Sequence, residues 1–240
     1  MAKQREFFVR IKGDYGLISN PSSKGGGEKY SYSTPTKQCL TGIVDALYFK
    51  PTFKNIVTEV KVINPIQTEV IGTRALLGNM KADLNYVSYL VDVEYLIRFH
   101  MEWDENRPDL VYDRNAKKHE AIMERSIKKG GRRDVFIGTR ECVATAEYIT
   151  KEEYIQAKSC YDGQVISLGI MFQEFEYPTD SNEPLKSYFK DTVMKGGIIT
   201  FGPREKCEIV NELSNYKFKR PEEIKPVDDE LKEYQQMEMR

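Results

Sequence analysis

Lys118 and His119 stand side by side in the most basic stretch of the chain. A fixed cation next to a proton-transfer group is what phosphodiester cleavage without a metal requires. An imidazole, with a reference pKa of about 6.5, has both protonation states populated near neutrality. A lysine ammonium is a compact point charge suited to the oxygens of a phosphorane. RNA carries its own nucleophile, the 2′-hydroxyl, which attacks the adjacent phosphate once a base removes its proton. The products are a 2′,3′-cyclic phosphate and a 5′-hydroxyl, and each positioned acid or base contributes roughly 10²–10⁴ in rate. Two adjacent residues of these types are common by chance, so their surroundings decide.

The surroundings are basic. Between Arg114 and Arg133 stand eight Lys/Arg (Arg114, Lys117, Lys118, Arg125, Lys128, Lys129, Arg132, Arg133) against Glu120 and Glu124, in a chain of formal net charge −1. A polyanion is the partner this segment fits, and a solvated helix face is the alternative. The nearby acids Asp113, Glu120, Glu124 and Asp134 are interleaved with cations. That pattern suits partners of Arg and Lys better than ligands of a two-metal nuclease, so neither metal nor cofactor is expected. The loop Ser19 to Ser33 contains Gly25-Gly26-Gly27-Glu28-Lys29 but lacks the Gly-Lys-Ser/Thr ending of a nucleotide triphosphate-binding loop. Its glycines permit close backbone approach to RNA, with Lys24, Lys29 and Tyr30 supplying phosphate and stacking contacts. Gly130-Gly131-Arg132-Arg133 either does the same or ends a helix with exposed arginines.

The elements that must position these residues follow from periodicity. Phe7, Val9 and Ile11 alternate with polar positions in a first strand ending at Gly13-Asp14. Thr34 and Pro35 suit a cap and first helical position, with Leu40, Ile43, Val44 and Leu47 at helical spacing until Lys50-Pro51. Asn55 to Ile63 reads as a second strand. From Tyr86 to Met101 every odd position is apolar or aromatic, a long half-buried third strand with His100 on its polar face and Trp103 as packing. Lys117 to Lys129 reads as a helix with Ala121, Ile122 and Ile127 inside, and Gly138 to Ile149 as a fourth strand. The order β-α-β-β-α-β predicts an α+β fold whose N-terminal part, residues 1–149, is ferredoxin-like, as in RNA-recognition modules. Val165 to Tyr177 and Gly197 to Phe201 predict a smaller antiparallel β-rich domain over 150–216, followed by a charged tail over 217–240. Phe172, Phe175 and Tyr177 fit a sheet core or an interface, core being the safer reading.

Composition bounds the class. The 240 residues are 40% hydrophobic and 30% charged, enough for a sizeable core. No apolar run reaches the length of a signal or spanning segment, so a cytoplasmic protein without a membrane partner is expected. Cys39, Cys142, Cys160 and Cys207 are dispersed and read as reduced core thiols.

Ordered blocks then carry a resemblance: Gly13-Asp14-Tyr15, Gly26-Gly27-Glu28-Lys29, Ser31-Tyr32-Ser33, Pro35-Thr36, Tyr48-Phe49-Lys50-Pro51, Asp113-Arg114-Asn115, Lys118-His119, Gly130-Gly131-Arg132-Arg133-Asp134, Arg140-Glu141-Cys142 and Tyr161-Asp162-Gly163-Gln164. Together they resemble the CRISPR-associated Cas five family, subtype I-C variant, of the RAMP superfamily, over nearly the whole chain apart from the tail. The resemblance implies an endoribonuclease that cuts CRISPR repeat RNA at the base of its hairpin. It then holds the crRNA 5′ handle in the type I-C surveillance complex (Cascade), with the backbone and large subunits as partners and weak DNA binding possible. It also implies a catalytic trio of Tyr48, Lys118 and His119, in which Tyr48 orients the 2′-hydroxyl or helps protonate the leaving oxygen. Arg140 joins the residues expected on RNA. Phe49 and Cys39 replace a common tryptophan and alanine without altering the trio's chemical groups. A non-catalytic RNA-binding scaffold is the second reading, and the joint presence of Tyr48, Lys118 and His119 favours the enzyme.

Overall fold

The computed structural model describes residues 5–20, 28–76, 82–178 and 183–215. Lys24, the three glycines after it and the expected tail lie outside the described residues. In chain order the first elements are β1 (Glu6–Gly16), β2 (Glu28–Tyr30), α1 (Lys37–Leu47), β3 (Phe53–Val62), β4 (Gln67–Leu76), β5 (Ala82–Trp103) and α2 (Ala116–Lys128). They are followed by β6 (Val135–Phe136), β7 (Val143–Tyr148), α3 (Lys151–Gln156), β8 (Val165–Glu176), β9 (Pro184–Lys195), β10 (Ile198–Thr200) and β11 (Ile209–Asn215). One sheet runs β11-β9-β10-β3-β5-β1-β7-β6, with β2 and β4 on β5 and β8 on β9. Its centre, β3-β5-β1-β7, is antiparallel, with α1 between β1 and β3 in the chain and α2 between β5 and β7. The class is therefore α+β, and the expected elements follow in their expected order, but two long strands that the sequence did not show, β4 and β9, are added to them.

The differences have local causes. β5 is longer than its alternating stretch and changes partner midway: its first half pairs with β4, from Leu76↔Ala82 to Gln67↔Val91, and its second half with β3. Asp92 sits at the changeover with φ 49°, its carbonyl held by Asn64 Nδ2 at 2.9 Å. β4 escaped the sequence pattern because Val70 on it and Leu84 and Tyr86 opposite are exposed, so no buried face imposes a period of two. The expected fourth strand starts only at Val143. At Gly138, φ is 88° and an added Cβ would lie 1.9 Å from the Leu17 carbonyl oxygen, so the chain turns there instead of extending.

Thr36, not Thr34, caps α1, its hydroxyl accepting from Cys39 N–H at 3.2 Å. Thr34 is buried, with its hydroxyl on Met171 sulfur. Leu40, Ile43, Val44 and Leu47 are buried as expected. Gly42, in mid-helix, costs about 1 kcal/mol relative to Ala, yet a Cβ there would meet nothing within 4 Å. α2 buries His119, Met123, Ser126 and Ile127, spaced i, i+4, i+7 and i+8, whereas Ala121 is exposed and Ile122 half-buried. It ends at Gly130 and Gly131, both at positive φ.

The downstream strands continue the same sheet, since β10 pairs with β3 from Ile198↔Lys61 to Thr200↔Glu59. A nearly buried ion pair, Lys37 Nζ to Glu174 Oε1 at 2.8 Å, fastens β8 to α1. α3, too short to show a period, is fixed by a capping box of Thr150 and Glu153 and by the buried ring of Tyr154. On β8 the buried residues are Met171 and Gln173. Phe172 and Phe175 are half-exposed and Tyr177 exposed, which corrects the core expectation for all three. The cysteines are all free, but only Cys142 is buried, so the core-thiol expectation holds for one of four.

Candidate active site

Three elements bring the catalytic candidates together. Tyr48 ends α1 in an extended conformation, its N–H still donating to Val44 O at 3.2 Å. Asn55 on β3 donates to the Tyr48 carbonyl at 3.0 Å and to Asp45 at 2.8 Å, fixing that helix end. Asn115 caps α2 by accepting from Lys118 N–H at 3.1 Å, which sets His119 in the first turn, facing inward. Ser126 donates to Leu47 O at 2.5 Å and so docks α2 on α1.

His119 is 0% exposed and Tyr48 1%. The imidazole Nδ1 lies 2.8 Å from the Tyr48 hydroxyl, and Nε2 lies 2.8 Å from the main-chain carbonyl oxygen of Asp113. A carbonyl only accepts, so in the neutral ring Nε2 carries the proton and Nδ1 accepts from the phenol. The Asp113 carboxylate, 3.4 Å from Nε2, is poised to stabilise an imidazolium. Phe53 and Trp103 pack against the ring, with centroids at 5.2 and 6.0 Å. Trp103 is thus a packing residue, as expected. His100 instead pairs with Glu102 at 2.8 Å.

Lys118 is the solvent-facing member of the trio. Its ammonium donates to Asp113 Oδ1 at 2.5 Å, while Thr52 donates to Oδ2 at 2.9 Å. Those two bonds hold the Asp113 carboxyl below the usual carboxylate range, and the carboxylate in turn raises Lys118, keeping it a cation. Burial pushes the Tyr48 phenol above its ordinary value, so it stays protonated, although the nearby Arg132 opposes the shift. The Arg132 guanidinium lies 4.5 Å from the Tyr48 ring centroid. Asp113 and Thr52 were not singled out by sequence reasoning as site residues. The signals were Asp113 opening the block Asp113-Arg114-Asn115 and its place among the acids expected to pair with Arg and Lys, as it does with Lys118.

The expected RNA-contacting residues divide. Lys117, Arg125, Lys129 and Arg133 are exposed around α2 and, like Arg132, make no ion pair among the described residues. Lys128 is tied to Glu124 at 2.6 Å and lies over the Tyr148 ring. Arg114 is half-buried, bonded to Glu105 and to the Asp104 carbonyl, and works as a loop anchor. Lys29 and Tyr30 are exposed far away: Lys29 pairs with Val87, sixteen positions before Trp103, about 50 Å along an extended strand. Arg140 is exposed at that distant end, two residues before Cys142, which packs against Val87.

Residues 8–202 match the model of the family described as CRISPR-associated protein (Cas_Cas5), and the chain belongs to that family. It is 57% identical to a solved structure described as a CRISPR-associated protein, with a TM-score of 0.77 over 87% of this chain and 97% of the other. It is 55% identical, with a TM-score of 0.75 over the same shares, to a functionally uncharacterized protein from Streptococcus mutans. Among curated relatives, it is 25% identical to the CRISPR pre-crRNA endoribonuclease Cas5d of Mannheimia succiniciproducens, over 81% of this chain and 94% of that protein. No helix among the described residues is long and apolar enough to cross a membrane. Nor, among those residues, does any group of three or more His, Cys, Asp or Glu side chains form a metal-binding cluster.

Proposed function

We propose that this chain is an endoribonuclease of CRISPR antiviral defence that cuts repeat RNA at the base of its hairpin by attack of the RNA 2′-hydroxyl, without a metal. The observation that carries the reading is the line Tyr48 hydroxyl, His119 imidazole, Asp113 carbonyl, with Lys118 beside it. A phosphate entering over Lys118 and the free cations of α2 competes for Arg132 and uncovers Tyr48. Tyr48 takes the 2′-hydroxyl proton as its own proton passes to His119 Nδ1, and the imidazolium is stabilised by Asp113. Lys118 offsets the charge on the phosphorane. When the bond to the 5′ oxygen breaks, the proton returns through Tyr48 to that oxygen. The product stays bound by its 5′ handle, with the chain acting as a subunit of the type I-C surveillance complex in the cytoplasm. Residues 1–149 and 150–216 are kept as two units of the chain, with 217–240 beyond them, although β10 joins the two in one sheet through β3.

The burial of both Tyr48 and His119 favours a second reading, a scaffold that binds RNA without cutting it. The purified chain incubated in EDTA with a repeat hairpin from its own host, and with a copy carrying a 2′-deoxy at the cleavage nucleotide, separates them. Cutting of the all-RNA hairpin alone supports the enzyme. Tight binding of both without cutting supports the scaffold.

A further inference from the structure

Beside the candidate active site a groove of about 410 Å³ opens between α1, β6 and β8, lined by Gly42, Phe136, Phe172, Tyr32, Gln38 and Asp134. We propose that it is a guanine-binding subsite for the RNA strand that crosses the Tyr48 site, an inference that rests on the ribonuclease reading above.

Four observations carry it. The walls are aromatic and already ordered, Phe172 being packed against Phe175 and Phe189 with centroids at 4.7 and 5.6 Å. Stacking platforms of this kind accept nucleobases, and the volume lies in the range of small-ligand sites. The floor holds Gly42, a helix-interior glycine with no neighbour of its own chain to make room for. A group from outside the chain, approaching the helix backbone, supplies the missing reason. The Asp134 carboxylate is exposed and has no hydrogen bond or ion pair among the described residues, although arginines precede it. Gln38 accepts from Phe175 N–H at 3.3 Å through Oε1, which leaves its amide hydrogens to donate.

Guanine matches that polar set. Its N1–H and N2 amino group are adjacent donors that the Asp134 carboxylate accepts together, which leaves the Gln38 amide, about two turns along α1 from Ala46, for the sugar or phosphate. Adenine and cytosine offer only an amino group to the carboxylate, and uracil a single imino group. One end of the groove adjoins the segment that carries Arg132, the residue over the Tyr48 ring. Ala46 lines the groove, and the Ala46 carbonyl accepts from the N–H groups of Arg132 and Arg133 at 3.3 and 3.1 Å.

Binding of GMP, AMP, CMP and UMP to the wild-type chain, measured by saturation-transfer NMR, tests the assignment. GMP should bind roughly 10-fold tighter than the others. Asp134→Asn should remove that preference without lowering Tm, and Gly42→Leu should abolish binding of all four. Repeat RNA blocked by the 2′-deoxy substitution should displace GMP. Equal binding of the four nucleotides, or GMP binding untouched by both substitutions, would overturn the proposal, as would GMP retained on RNA-saturated protein. Failure of the parent reading looks different: GMP binds with these sensitivities, yet the wild-type chain leaves repeat RNA uncut.

Discussion

The Tyr48 hydroxyl donates to Nδ1 of His119 because Nε2, on the far side of the neutral ring, must donate to the Asp113 carbonyl. In the proposed reaction the imidazole therefore reaches substrate only through the phenol. Tyr48→Phe keeps the packing on Phe53 but removes that route. Single-turnover cleavage should fall roughly 10²–10⁴-fold, while stability should fall by about 1–3 kcal/mol for the unpaired nitrogen left behind. Cleavage at the wild-type rate by a folded Tyr48→Phe protein would remove Tyr48 from the chemistry.

The Asp113–Lys118 pair should appear in a pH profile of stability. A carboxyl whose folded pKa is lowered contributes stability that is present above its unfolded value of about 3.9 and lost as pH falls through the folded value. Lys118, raised by the same partner, keeps the pair intact past its unfolded value of about 10.4, and loses it only as pH rises through the folded value. The Tm difference between wild type and Asp113→Asn should thus be full at pH 7 and shrink below about pH 4. A difference that stays constant down to pH 2 would contradict the pairing.

Arg132 covers the Tyr48 ring and makes no ion pair among the described residues. Arg132→Gln should weaken repeat-RNA binding and lower the slope of log affinity against log salt by about 1, one fewer counterion being released. Lys29→Gln, at the far end of β5, should leave cleavage of a minimal hairpin unaltered if only the α2 end holds the stem. Filter-binding titrations at several salt concentrations and gel assays of cleavage measure both.

Gly138→Ala should be among the most damaging single substitutions. The new Cβ would lie 1.9 Å from the Leu17 carbonyl oxygen, at a φ of 88°. A loss above about 3 kcal/mol is expected, read as a large fall in Tm or in folded yield. A stable Gly138→Ala protein would mean the turn relaxes without cost.

Much was legible in the sequence, because burial on one face imposes a period. The odd positions of β5, the Leu40–Ile43–Val44–Leu47 face of α1 and the glycines ending α2 were all readable. So was the basic segment, since charge composition is independent of fold. β4 and β11 were not, because most of their side chains are exposed and carry no pattern.

The sequence by itself determined which chemical groups exist and that Lys118 and His119 share the start of one helix. Helix geometry sets these neighbours about 100° apart, but only the tertiary structure decided which of them turns inward: Lys118 faces solvent and His119 is buried. It also decided that Asp113 serves both at once, by its carboxylate to Lys118 and its main-chain carbonyl to His119. A backbone carbonyl is the same in every residue, so no sequence pattern marks the one that fixes a tautomer. Contacts such as Tyr48 with His119, 71 positions apart, exist only once the sheet has set α1 against α2.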